Sequence, residues 1–420
     1  MTSRTLLFLG AAMLAAPPLS LAQHRVLANN HEVKNVIFMV PDGMGLADVT
    51  AARILVNCEN TPTTFPFNFC ADGPGGPPLH LETLEHIGYQ RTYSKINTIT
   101  DSSAAASAFA CGEKFVNNEV CFHADLTPHN QSVLELAKSK GMSTGLVATQ
   151  TITHATPASF AAHIANRNCE NEIARQYIEV TQPDVLLGGG IAKFQSTEDD
   201  KCGTSGDFIA EAESVGYTHV DTKAAMETVA ANLGVNRLLG LFKSGSLTPE
   251  YLGTRPATEP RLPEMTGAAL KILDRNRAGF FLMVEGSLID SGNHAENLQY
   301  QYGELKAFDE AVKVVLDWIN ARPERQQHTL LIILADHETG GFAVKGVGEK
   351  GGENPGQGGV LGEFQAGWVF TLVDKDPVDF ESHHTGGDVM IWSQGPGSEA
   401  LGRAIDNTFV YEVVKNALKL

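Results

Sequence analysis

Short apolar runs separated by amphipathic stretches organise the chain. Lys34 to Val40 is an apolar run that stops at Pro41-Asp42-Gly43, which predicts a buried strand ending in a turn. Ser132 to Lys140 predicts a helix closed by Gly141, followed by a strand from Thr144 to Thr149. Asp184 to Leu187 reads as another strand, running into Gly188-Gly189-Gly190, and Gly279 to Glu285 and Thr329 to Leu334 are strongly strand-like. Between those last two, Leu305, Phe308, Val312, Val315 and Ile319 recur at helical spacing, the stripe of an amphipathic helix. This alternation predicts an α/β fold, a mostly parallel central sheet with helices on both faces. The Gly-rich, polar stretch Gly341 to Gly362 carries only weak strand signals and is expected to be a surface excursion near the site.

In such a fold, ligands gather at the carboxyl ends of the strands. Asp42, Glu285 and the pair Asp336-His337 all stand at such ends. An ionisable pair closing an apolar strand is costly to bury unless it meets a metal or a charge partner. Asp290 and His294 lie four apart, so on a helix they share one face and make a chelating pair. His383-His384-Thr385-Gly386-Gly387 adds more imidazole. These carboxylates and imidazoles, with no thiolate among them, suit zinc, with magnesium at any oxygen-only position.

The alanine-rich run after Asp101-Ser102 predicts a helix beginning at that serine. A helix N-terminus carries unpaired N–H groups and partial positive charge, which favours an anion there. Asp101 and Ser102 are also good N-caps, so this segment alone leaves nucleophile and cap both open. A serine beside two metals suggests phosphoryl transfer, since zinc lowers the serine pKa and paired metals stabilise attacking and leaving oxygens.

Compartment and charge narrow the picture. Arg4, the apolar run Leu6 to Ala16 and the small-x-small Ser20-Leu21-Ala22 predict an export signal over residues 1–22. That run is too short to span a bilayer as a helix, and no later segment is long and apolar enough. A soluble protein beginning near Gln23, periplasmic or secreted, is therefore expected. Six cysteines in an exported chain suggest disulfides; chain order makes Cys58–Cys70, Cys111–Cys121 and Cys169–Cys202 the simplest pairing of the fifteen. Cys111 also reads as a small core residue. The net charge of −18 becomes −19 without Arg4 and argues against a nucleic-acid partner, so attraction for an anionic substrate must be local.

At this point the chain resembles the alkaline phosphatases. The resemblance runs in order through Pro41-Asp42-Gly43-Met44-Gly45, Asp101-Ser102, Ala155-Thr156-Pro157-Ala158, Arg167, Val284-Glu285-Gly286, Asp290 to His294, Ala335-Asp336-His337 and His384-Thr385-Gly386. It implies one catalytic domain over residues 23–420 with a small crown-type insertion at about 341–383. It also implies a homodimer with two zinc ions and one magnesium ion per subunit, hydrolysing phosphate monoesters through a phosphoserine. Ser102 matches the nucleophile, with Asp101 beside it at the substrate, and Arg167 matches the arginine that forks onto phosphate, a task suited to a planar bidentate donor. Asp290, His294 and His384 match the ligands of one zinc, and Asp42, Asp336 and His337 those of the other. Asp42 also bridges to the magnesium position, matched by Thr156 and Glu285.

Two positions depart from the common bacterial pattern. His154 stands at the third metal position where many bacterial members carry aspartate, similar to animal and some marine bacterial members, and this leaves the third ion open. Ser291 replaces a lysine, which implies faster phosphate release. A sulfatase would need x-Pro-x-Arg after the nucleophile, where Ala104 and Ala106 stand. A phosphodiesterase of the same superfamily, or a non-catalytic metal- or phosphate-binding protein, is the alternative.

Overall fold

A computed structural model describes residues 33–57, 76–127, 129–196, 202–349, 361–369, 371–372 and 381–420. The expected signal segment, the Cys58–Cys70 pair and part of the Gly-rich insertion lie outside these residues. Ten strands form one sheet. We number them β1 (Asn35–Val40), β2 (His86–Arg91), β3 (Ser143–Thr151), β4 (Val185–Gly189), β5 (Thr218–Val220), β6 (Leu238–Leu241), β7 (Phe280–Glu285), β8 (Thr329–Leu334), β9 (Val389–Gln394) and β10 (Ala404–Asp406). Their order is β10-β2-β9-β8-β1-β7-β3-β4-β6-β5. Only β9 runs antiparallel to its neighbours, so the sheet is mostly parallel, as the alternation predicted.

The central strands are apolar throughout because both of their faces are covered. Every residue of β1, β7 and β8 is buried. Alternate side chains divide between two cores, one on each face of the sheet. Val36, Phe38 and Val40 enter the first, where Phe38 packs against Phe109 at 5.2 Å and Phe160 at 5.4 Å between ring centroids. Ile37 and Met39 enter the second with Phe280, Leu282 and the apolar stripe at Leu305, Phe308, Val312 and Val315.

Four helices bear on the site: α1 (Ser102–Cys111), α2 (Ala155–Ala161), α3 (Leu288–His294) and α4 (Leu298–Asn320). The helix predicted after Ser132 spans Val133–Ser139, and Ser132 and Glu135 form its capping box. Within the Gly-rich stretch, Phe342–Glu349 pairs antiparallel with Leu361–Trp368, a hairpin where the residue pattern carries only weak strand signals. Two of the three in-order cysteine pairs are bridged, Cys111–Cys121 and Cys169–Cys202, so Cys111 is a bridge partner as well as a core residue. Among the described residues, no helix is long and apolar enough to cross a membrane.

Candidate active site

Four adjacent strands aim their carboxyl ends at one place. The chain leaving β1 places Asp42, β7 ends in Glu285, β8 is followed by Asp336 and His337, and beyond β3 come His154, the N-cap of α2, and Thr156 in its first turn. Register fixes the neighbours: Glu285 lies level with Val40 on one side and Ala148 on the other. At Gly43 the chain turns with φ of 72°, and a Cβ there would stand 2.8 Å from that of Asp290, so only glycine lets the Asp42 loop approach α3 this closely.

Three groups of side chains bring potential ligand atoms within 4.8 Å of one another: Asp290, His337 and His384; Asp42, Asp336 and His337; and Asp42, His154 and Glu285. His294 joins the first group, with Nε2 3.2 Å from Asp290 Oδ2 and 3.1 Å from His384 Nε2. His337, expected in one group, thus stands in two. Thr156, expected at the third position, is fully buried.

The donor set fits cations. His384 Nδ1 donates to the Thr100 carbonyl at 2.9 Å, so its Nε2 lone pair is free to face the site. His337 Nδ1 lies 3.3 Å from Thr339 Oγ1, whose own proton goes to Asp290 Oδ1 at 2.6 Å. His337 Nε2 then presents a lone pair to Asp336 Oδ2 at 3.2 Å and Asp42 Oδ1 at 3.6 Å. Lone pair against carboxylate is repulsive unless positive charge stands between them. Asp42 Oδ1, Asp336 Oδ2, both Glu285 oxygens, Thr156 Oγ1 and His154 Nδ1 are buried without a hydrogen-bond partner. Leaving charged oxygens so would cost several kcal/mol each, about the scale of a buried unpaired ion.

The charge environment tells the same story. Burial, together with the charges of Asp336, Asp290 and Glu285, holds Asp42 well above the usual carboxylate range. Burial likewise pushes Glu285 up to about 7 and His337 down to about 4. Asp290 goes the other way: burial opposes its ionisation, but the hydrogen bond from His294 and the surrounding imidazoles hold it far below the ordinary value.

Ser102 opens α1 and is 2% exposed, with Oγ 3.2 Å from His337 Nε2. The cap is Asp101, whose carboxylate accepts from Ala104 N at 2.9 Å and from Ser103 Oγ at 2.7 Å. That leaves the Ser102 hydroxyl for the site. Arg167 extends to Asp101 Oδ2 at 3.1 Å and to His154 Nε2 at 3.1 Å. Burial and the Arg167 charge lower His154 to about 4, so it is neutral near pH 7. Burial would raise Asp101, but the Arg167 charge and the two capping hydrogen bonds hold it below the ordinary value.

The structure also brings in residues that the sequence did not single out. Thr339, fully buried, pairs in register with His384, donates its amide to Gly43 O at 3.2 Å and bridges Asp290 and His337 through its hydroxyl. Its one sequence signal is its place two residues beyond His337.

Comparison with known proteins agrees with this geometry. The family profile for alkaline phosphatase matches residues 33–360. The chain belongs to the alkaline phosphatase family. Alkaline phosphatase 3 of Bacillus subtilis is 32% identical, over 96% of this chain and 92% of the relative. Among solved structures, alkaline phosphatase from the Antarctic bacterium TAB5 superposes with a TM-score of 0.74 at 27% identity, covering 93% of this chain and 98% of that one. A histidine-to-aspartate mutant of the TAB5 enzyme holds Mg in its M3 site. Alkaline phosphatase of Thermus thermophilus superposes with a TM-score of 0.75 at 26% identity, covering 97% and 96%. The phosphatase is accordingly a phosphoric monoester hydrolase with a metal-binding site.

Proposed function

We propose that the phosphatase hydrolyses phosphate monoesters through a phosphoserine at Ser102, with two zinc ions and one magnesium ion. The observation that carries this reading is the position of His337, which belongs to two ligand clusters and stands 3.2 Å from Ser102 Oγ. Asp290, His294 and His384 would hold one zinc, Asp42, Asp336 and His337 the other, and Asp42, His154, Thr156 and Glu285 the magnesium. Bound there, the ions supply positive charge to the attacking and leaving oxygens and lower the pKa of the serine hydroxyl and of water.

The chain's own residues do the rest. Ser102 Oγ bonds to phosphorus as the ester P–O bond breaks and the alcohol leaves, taking up a proton. Water then attacks the same phosphorus, the Ser102 Oγ–P bond breaks, and Ser102 regains its proton as inorganic phosphate departs. Arg167 binds the phosphoryl oxygens with the planar guanidinium that Asp101 and His154 hold in place. The first turn of α1 adds its partial positive charge. Mutants of the TAB5 enzyme with aspartate or glutamate in place of a histidine hold Mg in an M3 site, so a third ion position exists in a relative, and His154 decides which ion it takes here.

The test is p-nitrophenyl phosphate turnover by wild type and Ser102→Ala, with and without chelator and added zinc. Acid-quenched turnover should leave a phosphoryl group on the Ser102 peptide by mass spectrometry. Turnover that survives Ser102→Ala refutes the mechanism. Faster cleavage of bis-p-nitrophenyl phosphate than of the monoester favours the diesterase alternative. The two bridges suit an oxidising compartment, periplasmic or extracellular, and an export signal at residues 1–22. Ile87, Tyr89, Tyr93, Ile96 and Ile99 are 44–69% exposed on β2 and the loop before Ser102. We read this apolar strip as the face of a homodimer, which sedimentation of the wild type against Ile96→Glu checks.

A further inference from the structure

Beneath the ligand clusters lies a second polar layer that the reaction does not use. Asp48, Asn293 and Gln301 are each fully buried, and they come from three elements: the helix Leu46–Asn57 that follows the Asp42 loop, α3, and α4. Asp48 Oδ1 accepts from Asn293 Nδ2 at 3.0 Å and from Gln301 Nε2 at 2.6 Å, while Oδ2 accepts from Gly45 N at 2.8 Å. The other end of the Asn293 amide turns towards the insertion, where Oδ1 accepts from Trp368 Nε1 at 3.0 Å. The orientation of that amide is forced. An indole N–H only donates, so Oδ1 must face Trp368, and that turns Nδ2 to Asp48.

Asn293 sits three residues after Asp290 and immediately before His294, so fixing its side chain fixes the rotation of α3. At 100° per residue, Asp290 and His294 lie about 40° apart on the helix, and a small roll moves both ligands together. At Gly292 the α3 backbone packs directly on α4, since a Cβ there would stand 2.4 Å from Gln301 N. Asp48 grips the Asp42 loop as well as α3, through Gly45 N. The Trp368 bond is different: its partner is α3 alone. It is also the tie between α3 and a hairpin whose base is clasped beside His384, where Gly340 N donates to His383 O at 2.8 Å and Val369 N to Gly340 O at 3.2 Å.

We propose that Trp368 is a positioning residue for the Asp290–His294–His384 metal position, acting through Asn293, so that the Gly-rich insertion clamps one of the two zinc positions and not the other. The proposal rests on the metal reading given above. Trp368 also packs on Phe342, with ring centroids 4.9 Å apart, so Trp368→Phe keeps an aromatic contact and deletes the N–H.

The experiment counts protein-bound zinc against buffered free zinc at saturating magnesium, for wild type, Trp368→Phe, Asn293→Ala and Trp318→Phe. Wild type should take up two equivalents. In Trp368→Phe one equivalent should bind roughly tenfold more weakly and the other should not move, the low end for losing an outer hydrogen bond to a ligand shell. Asn293→Ala, which also cuts the bonds to Asp48 and to Gly43 O, should weaken the same equivalent further, and Trp318→Phe should match wild type. Melting of the metal-free proteins separates a clamp from simple packing. A zinc loss that follows a lowered metal-free melting temperature in Trp368→Phe overturns the proposal, as does a shift of both equivalents or of neither. A wild type that takes up no zinc refutes the metal reading itself.

Discussion

Replacing Thr339 with valine removes one hydroxyl and almost no volume, yet that hydroxyl serves two ligand clusters at once. Thr339 Oγ1 donates to Asp290 Oδ1 at 2.6 Å and stands 3.3 Å from His337 Nδ1. The Asp290 bond exists with or without metal, so most of its energy cancels from the binding equilibrium. The His337 contact does not cancel. It is what keeps the proton on Nδ1 and the lone pair on Nε2. With valine, the ring must either bury an unpaired N–H, at about 1–3 kcal/mol, or move its proton to the nitrogen that faces the site. At about 1.4 kcal/mol per tenfold, that is roughly 5- to 150-fold in zinc affinity, in line with the roughly 10- to 100-fold seen for outer hydrogen bonds to metal ligands. The assay is p-nitrophenyl phosphate turnover as a function of buffered free zinc. The midpoint should move upward by about tenfold or more in Thr339→Val and return to within about threefold of wild type in Thr339→Ser. A midpoint for Thr339→Val within about twofold of wild type would refute the argument that this hydroxyl sets the His337 tautomer.

Three further outcomes are expected. Ser291→Lys adds a positive charge on α3 beside Asp290, and inorganic phosphate should then inhibit roughly fivefold more strongly, the scale of one charge about 4 Å away in water; an unchanged inhibition constant would contradict the link between Ser291 and fast phosphate release. Replacing Cys111 and Cys121 together by alanine opens a bridge of sequence separation 10, which should cost about 2–3 kcal/mol in denaturant unfolding by loop-closure entropy, whereas no loss would show that the disulfide constrains nothing. His163 is half-buried, with Nδ1 2.7 Å from Cys121 O and Nε2 2.9 Å from Glu135; burial disfavours its charge, but the Glu135 hydrogen bond and charge win and raise its pKa above the ordinary 6.5. A raised folded pKa gives stability that is full below the unfolded value and lost as pH climbs through the folded one, so the melting advantage of wild type over His163→Gln should shrink as pH rises past the ordinary 6.5.

The strands that hold the site were the easiest to read. β1, β7 and β8 are buried on both faces, and such strands appear in sequence as unbroken apolar runs. The stripe from Leu305 to Ile319 was equally plain, and the spacing of Asp290 and His294 did mark one face of a helix. β2 was not legible. It alternates buried and exposed positions around Gly88, and its exposed Ile87 and Tyr89 blur the pattern. β5 has three residues, too few for any period to show. The sequence also could not choose between Asp101 and Ser102 as the cap, because both side chains suit the role and only the fold shows which carboxylate meets Ala104 N. Thr339, Asn293 and Asp48 were missed for a related reason. An isolated polar residue in sequence carries no mark of what it faces, and their partners lie 49 and 245 positions away.

The ligands issue from β8, β1, β7 and β3, four neighbours in the sheet. Adjacent strands stand about 4.8 Å apart whatever their side chains, so the backbone ladder itself rules the lateral spacing of the ligands. This predicts an uneven map of tolerated length changes. Deleting one residue within β1 would retract Asp42 by about 3.3 Å and swap the two faces of the strand, which no nearby loop can absorb. Changing the number of residues between Glu349 and Leu361 would alter no rung of that ladder. Lineages of this fold are therefore free to lengthen, shorten or exchange what surrounds the site, while the four central strands stay fixed in length.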